Sequence, residues 1–150
     1  MSNRNEKLLF LSYLADECGR YKDMVSYMEE FVKSKNEDLS LDERNLLFNA
    51  YKGRIWSNYQ VLVKLSAKDS IGSKKGEDSS LNYIREYKGH VDKDAEELCY
   101  KINNFIDENV IPKSQSDESK SFYYYNKASY WKFLFNYGNN KKKTEYSENA

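Results

Sequence analysis

Apolar residues recur at intervals of three and four along most of the chain, the spacing of one face of an α-helix. Leu8, Leu11, Leu14 and Ala15 share such a face and predict a first helix over about 4–18, which Gly19 ends or bends. Tyr21, Met24, Val25, Met28, Phe31 and Val32 predict a second helix up to about Ser34, and the polar stretch Lys35 to Asp38 reads as a loop. Ser40-Leu41-Asp42-Glu43 is a capping box: the serine hydroxyl serves the first free N–H groups and the glutamate reaches back. It opens a long third helix, about 41–68, free of proline and carrying a single glycine, Gly53. Residues 69–79 (DSIGSKKGEDS) are polar and glycine-bearing and predict a loop. Leu81, Ile84, Tyr87, Val91, Leu98, Ile102, Phe105 and Ile106 predict a fourth helix over about 80–109, closed by Pro112. Ser114 to Ser116 link to a fifth helix over about 117–137, after which Gly138 offers the left-handed stop that helix ends favour. The tail NNKKKTEYSENA is polar and gives at most the opening of a sixth helix.

One Pro and six Gly in 150 residues favour long helices over a turn-rich β fold; more than two-thirds helix and no sheet are expected. Hydrophobic residues are only 39%, so the 14 Tyr and 7 Phe must supply much of the buried area. The helices differ in length and pattern, which argues against a repeat array. Five antiparallel helices, two of them long, suggest an L-shaped or layered all-α array.

Charge narrows the partners. Charged residues are 32% and sum to zero, so no global field draws the chain to nucleic acid or an acidic membrane. No stretch approaches the ~20 apolar residues of a membrane span, and Arg4, Glu6 and Lys7 around a short apolar run do not form a signal peptide. The expectation is a cytoplasmic protein with neither nucleic acid nor membrane as partner. Cys18 and Cys99 form no CxxC and have no histidine at ligand spacing, which predicts two buried, reduced thiols and no metal or other cofactor. Enzymatic chemistry finds no support. Adjacent carboxylates such as Glu96 and Glu97, or Asp42 and Glu43, point about 100° apart on a helix and do not converge as an acid/base pair must. His90, the single histidine, has no neighbouring nucleophile or metal-ligand partner in sequence, and no GxSxG, P-loop or HExxH motif is present.

The segments LADECGRYKDM (14–24), LSLDERNLLFNAYKGRI (39–55), IREYKGHVDKDAEELC (84–99), VIPKSQSDESKSFYYYNKASYWKFL (110–134) and KKKTEYSENA (141–150) resemble, in order, segments of the 14-3-3 proteins. The first family signature resembles RNLLFNAYKGR (44–54), with departures at Phe48, Asn49, Gly53 and Arg54. The resemblance covers most of the chain. It implies one 14-3-3-like domain over 1–150, the N-terminal portion of an antiparallel array of nine helices. Helices one to five and the first residues of six are accounted for, and the C-terminal helices are not. It also implies a dimer formed through the first four helices and a groove for phosphoserine or phosphothreonine peptides, of which this sequence holds half.

Carried over residue by residue, the groove is altered. The resemblance implies phosphate binding by a Lys and an Arg on helix three, seven residues apart, and by an Arg-Tyr pair on helix five. Lys52 stands at the Lys; Tyr59 stands at the helix-three Arg, with Asn58 at the Arg before it. Lys132 and Phe133 stand at the helix-five Arg and Tyr, Tyr125 replaces a second groove Lys, and its neighbour is kept as Lys127. Arginine forks make two parallel bonds to phosphate oxygens, which lysine point charges cannot reproduce. Phosphate recognition is therefore expected to be degraded. With Trp56 and Trp131 nearby, Tyr59, Tyr125 and Phe133 either make an aromatic groove for an apolar or cationic peptide or pack on one another to cover an open face.

The dimer positions are better kept. Arg20 and Asp94 stand where the resemblance implies a salt bridge between subunits, Asp23 and His90 where it implies an Asp–Lys pair. Leu14 and Tyr87 match apolar interface positions, and Cys18 replaces a small one. The function implied is an adaptor for phosphorylated or unphosphorylated protein segments, paired with itself or with another 14-3-3 protein. The alternative is a helical dimerisation module without peptide binding.

Overall fold

A computed structural model describes residues 2–75 and 78–137. Its long elements are α1 (Asn3–Glu17), α2 (Tyr21–Ser34), α3 (Leu41–Lys75), α4 (Asp78–Phe105) and α5 (Asp117–Tyr137). No strand occurs among the described residues, and the all-α fold class stands. The Gly138 stop and the tail 139–150 lie outside the described residues.

The chain falls into two compact units, Met1–Arg54 with Ile102–Lys127, and Ile55–Lys101 with Ala128–Ala150. In the first, α1 and α2 form a hairpin. Gly19, at φ +68°, makes the turn, and the N–H groups of Gly19 and Arg20 donate to Asp16 and Ala15 carbonyls at 3.0 and 2.9 Å, a Schellman closure that only glycine adopts without strain. Arg4 pairs with Glu30, and Ser34 Oγ bonds Asn5 at 2.7 Å, tying the start of α1 to the end of α2. Met24, Met28, Phe31 and Val32 are buried on one face of α2. The capping box forms as read: Glu43 N–H donates to Ser40 Oγ at 3.2 Å, and Ser40 N–H to the Glu43 carboxylate at 2.8 Å. Lys35 joins it at 2.6 Å.

Two departures from the 14-3-3 signature have a physical reason here. Phe48 is buried in an aromatic cluster, 5.2 Å from Phe122 edge-on and 5.9 Å from Tyr123 stacked. At Gly53, a Cβ would lie 2.2 Å from Cδ1 of Tyr21, so the ring occupies the space that any larger residue needs.

The segment 35–40 is more than a connector. Asp38 accepts hydrogen bonds from Leu39 N–H (2.8 Å), Gln115 N–H (3.0 Å), Ser119 Oγ (2.8 Å) and Tyr123 Oη (2.7 Å), clasping the start of α3 to the start of α5. Lys113 Nζ donates to the Val32 carbonyl at 2.7 Å and to that of Lys35, satisfying the end of α2.

Two boundaries differ from those the composition predicts. Residues 69–75 and 78–79 are helical, not loop. Asp69 and Ser73 lie one turn apart and both receive Arg85 of α4, at 2.9 and 3.1 Å, and Gly72 lets Leu81 approach to 3.0 Å of where a Cβ would be. Tertiary partners override the weak helix propensity of the stretch. The fourth helix also does not run unbroken to 109. It widens into a π-helical turn, Ile106–Val110, and tightens into a 3-10 turn, Ile111–Lys113. Pro112 has no N–H to donate, and its ring crowds the turn before it, so the regular ladder stops early.

Burial alone would raise the Asp38 pKa, but the bonds from Gln115, Tyr123, Ser119 and Leu39 outweigh it and hold the carboxyl below its ordinary 3.8. A depressed folded pKa means stability that is complete above about 3.8 and lost as pH falls through the folded value. Asp38→Ala strands the buried Tyr123 hydroxyl and is expected to cost on the order of 2 kcal/mol at pH 7. Urea unfolding at pH 7 and pH 3 checks both statements: the gap between wild type and variant narrows at the lower pH. A constant gap contradicts the assignment.

Candidate functional site

The groove positions fall into two groups, one in each unit. In the first unit, Lys52 projects exposed from α3. Lys127 on α5 is held: it pairs with Asp107 in the π-helical turn and lies over the Tyr124 ring at 5.7 Å. Its charge is already spent on a neighbouring carboxylate, so less of it is available to an anion. Tyr125 stands three-quarters exposed.

In the second unit, Tyr59 stacks on Trp56, with ring centroids 4.9 Å apart and planes inclined 29°. Phe133 meets Tyr59 edge-on at 5.9 Å. Trp56 is 55% exposed, Tyr59 and Phe133 are half-buried, and Lys132 beside them is exposed. Trp131 points elsewhere: it is buried, edge-on to Tyr100 at 4.6 Å. Of the aromatics singled out in the sequence, Tyr59 and Phe133 come together, with Trp56 as their platform. Asp107 was not legible as a partner of Lys127, because the π-helical turn that presents it depends on Pro112. The tryptophan three residues before Tyr59, one helical turn away, was the available signal for the stack.

The dimer positions are exposed or half-exposed within their own units. On α1, Leu14 is 40% exposed, and the neighbouring Phe10 and Tyr13 are more open still. Arg20 bonds Asp23 within the same chain. In the second unit, Tyr87 is 55% exposed and lies 6.3 Å from the His90 ring, and His90 faces Asp94 at 3.7 Å.

Comparison with known proteins decides the family. The 14-3-3 protein family matches residues 11–150. The chain belongs to the 14-3-3 family. It is 32% identical to 14-3-3-like protein A of Glycine max, covering 99% of this chain and 58% of that protein. It is 31% identical to 14-3-3 protein 3 of Entamoeba histolytica, covering 100% and 62%. It is also 31% identical to the checkpoint signal transducer rad25 of Schizosaccharomyces pombe, covering 89% and 49%. The chain thus spans about half the length of the curated relatives it matches. No described helix of this 14-3-3 chain is long and apolar enough to cross a membrane.

The thiols divide. Cys99 is buried, its pKa pushed up to about 12 by burial and then by Glu96. Cys18 is exposed, contrary to the expectation of two buried thiols. It caps the end of α1 just before the Gly19 turn. Ellman's reagent at pH 8 is therefore expected to label one thiol per chain quickly and the second only in denaturant. Cys18→Ser should remove the fast phase. Two fast thiols in the folded protein contradict this assignment.

Proposed function

We propose that these 150 residues form a 14-3-3-type adaptor domain that binds protein partners with little dependence on phosphate and pairs with a second family subunit. The observation that carries this reading is the Trp56–Tyr59–Phe133 stack. Where the resemblance implies an arginine fork and a tyrosine hydroxyl, packed rings stand instead. Lys52 and Lys132 remain exposed as point charges, while Lys127 is engaged by Asp107. Charge-assisted hydrogen bonds contribute about 1.5–3 kcal/mol each, so losing several lowers affinity by orders of magnitude. The partners are segments of other proteins, phosphorylated or not, met in the cytoplasm. The name of the Schizosaccharomyces pombe relative, a checkpoint signal transducer, suggests a signalling setting for this chain too.

A specific observation supports pairing. Phe10, Tyr13 and Leu14 on α1, and Tyr83 and Tyr87 on α4, are large apolar residues left exposed. Arg20–Asp94 and Asp23–His90 bridges between subunits require each residue to leave the partner it holds within its own chain. Exposed pairs of this kind contribute little to stability, so the exchange is cheap. Burial of these exposed apolar residues would supply the driving force.

Sedimentation at micromolar concentration should show a dimer, and Leu14→Glu should dissociate it. A wild-type monomer between pH 5 and 8 removes the pairing from the proposal.

A labelled phosphoserine peptide should bind with a Kd well above about 10 µM, corresponding to less than about 7 kcal/mol. Binding should weaken with salt, because lysine charges near solvent are screened. Tyr59→Arg with Lys132→Arg should tighten it by restoring forks at both positions. Submicromolar affinity for the phosphorylated peptide, absent for its unphosphorylated form, overturns the reading.

A further inference from the structure

Three serines gather around the carboxylate of Asp38 at the start of α5. Ser114 Oγ lies 2.5 Å from Ser119 Oγ, and Ser119 Oγ donates to Asp38 at 2.8 Å. Ser114 therefore stands two hydrogen bonds away from a group that already accepts four. That group is ionised at neutral pH. The serines differ in access and in engagement. Ser119 is 2% exposed and closed to any enzyme. Ser116 is exposed, but its Oγ caps α5 by accepting the Ser119 N–H at 3.1 Å. Ser114 is half-buried in the link before α5, where the backbone is extended, at φ −67° and ψ 128°. Asp117 and Glu118 follow it at the third and fourth positions, and both are exposed.

We propose that Ser114 is a phosphorylation site for an acid-directed protein kinase, and that the phosphate opens the Asp38 clasp. The exposed pair Asp117 and Glu118 suits a kinase whose substrate cleft is basic. Ser114 Oγ attacks the γ-phosphorus of ATP held by the kinase. The new O–P bond forms as the bond from that phosphorus to the β–γ bridging oxygen breaks; ADP leaves, and the hydroxyl proton passes to the catalytic carboxylate of the kinase. The product carries a charge of about −2 beside Asp38. The cations nearby are already engaged. Lys113 Nζ donates to the Val32 and Lys35 carbonyls, and Arg44 lies 3.6 Å from Glu118 and over the Phe122 ring at 5.3 Å. Repulsion therefore falls on Asp38, whose bonds from Gln115, Ser119 and Tyr123 join α5 to the start of α3. These two helices carry Lys127 and Lys52, so the modification acts on the elements that bear them.

The test has two arms, both on the whole chain. In the first, the chain is incubated with ATP and a casein kinase that requires an acid three residues after the serine, and the phosphate is mapped by tandem mass spectrometry. One phosphate is expected, on Ser114, and none in Ser114→Ala. In the second, phosphoserine is encoded at position 114. Urea unfolding is expected to show the folded-to-unfolded ratio lowered about tenfold. Hydrogen exchange should quicken in the peptides that contain Leu39 and Gln115. In an Asp38→Asn background, the loss caused by the phosphate should shrink by more than half, because the like charge is gone. Phosphoserine at Ser121 is the control. That residue is exposed and points about 200° around α5 from Ser119, so it should change the ratio less than about twofold. No phosphate, or phosphate only on another serine, overturns the site. A phosphorylated chain as stable as the unmodified one, or an equal loss in Asp38→Asn, overturns the opening of the clasp.

Discussion

Four hydrogen bonds converge on the carboxylate of Asp38, and the order of the first unit follows from them. A carboxylate can accept from several donors at once, which no neutral side chain of its size does. It therefore fixes the entry of α3 against the entry of α5 with one residue. Once those two helices are registered, Phe48, Phe122 and Tyr123 meet and the interior closes around them. Lys113 then reaches the end of α2 from the same junction. The capping box at Ser40 and Glu43 starts two residues later, so cap and clasp reinforce a single helix start.

Much of this was legible in the sequence wherever the cause was local. The capping box, the Gly19 turn, the apolar stripe of α2 and the start of α5 follow from residues within one or two turns. What escaped depends on residues far along the chain. The stretch 69–75 has the composition of a loop, and it stays helical because Arg85 bonds two of its side chains. Asp38 looks like any loop aspartate until Gln115, Ser119 and Tyr123 arrive from about eighty residues away. Cys18 was expected to be a buried thiol, yet it is exposed at the end of α1, beside the Gly19 turn of the hairpin.

The groove positions show the same division. That Tyr59 and Phe133 replace charged or hydroxyl-bearing groups is visible from the family resemblance alone. That they pack on each other with Trp56 as a third ring needs coordinates. At position 59 the loss of positive charge and the gain of ring area that the resemblance implies coincide: the side chain standing where it implies a fork is also part of the apolar surface. Lys127 tells a complementary story, since the residue is retained while Asp107 takes up its charge. Retention of a residue type is thus a poor measure of retention of its role.

The contact of Tyr21 with Gly53 carries a consequence for how this chain can change over generations. The ring fills the volume that a side chain at position 53 requires. A mutation that adds a Cβ there forces the Tyr21 ring to shift, or requires position 21 to become smaller. A mutation that trims position 21 opens a void unless position 53 grows. The two sites are therefore expected to drift as a pair, with the acceptable order of steps set by sterics. A substitution harmless in one relative meets a steric obstacle in this one, an aromatic ring thirty-two positions away.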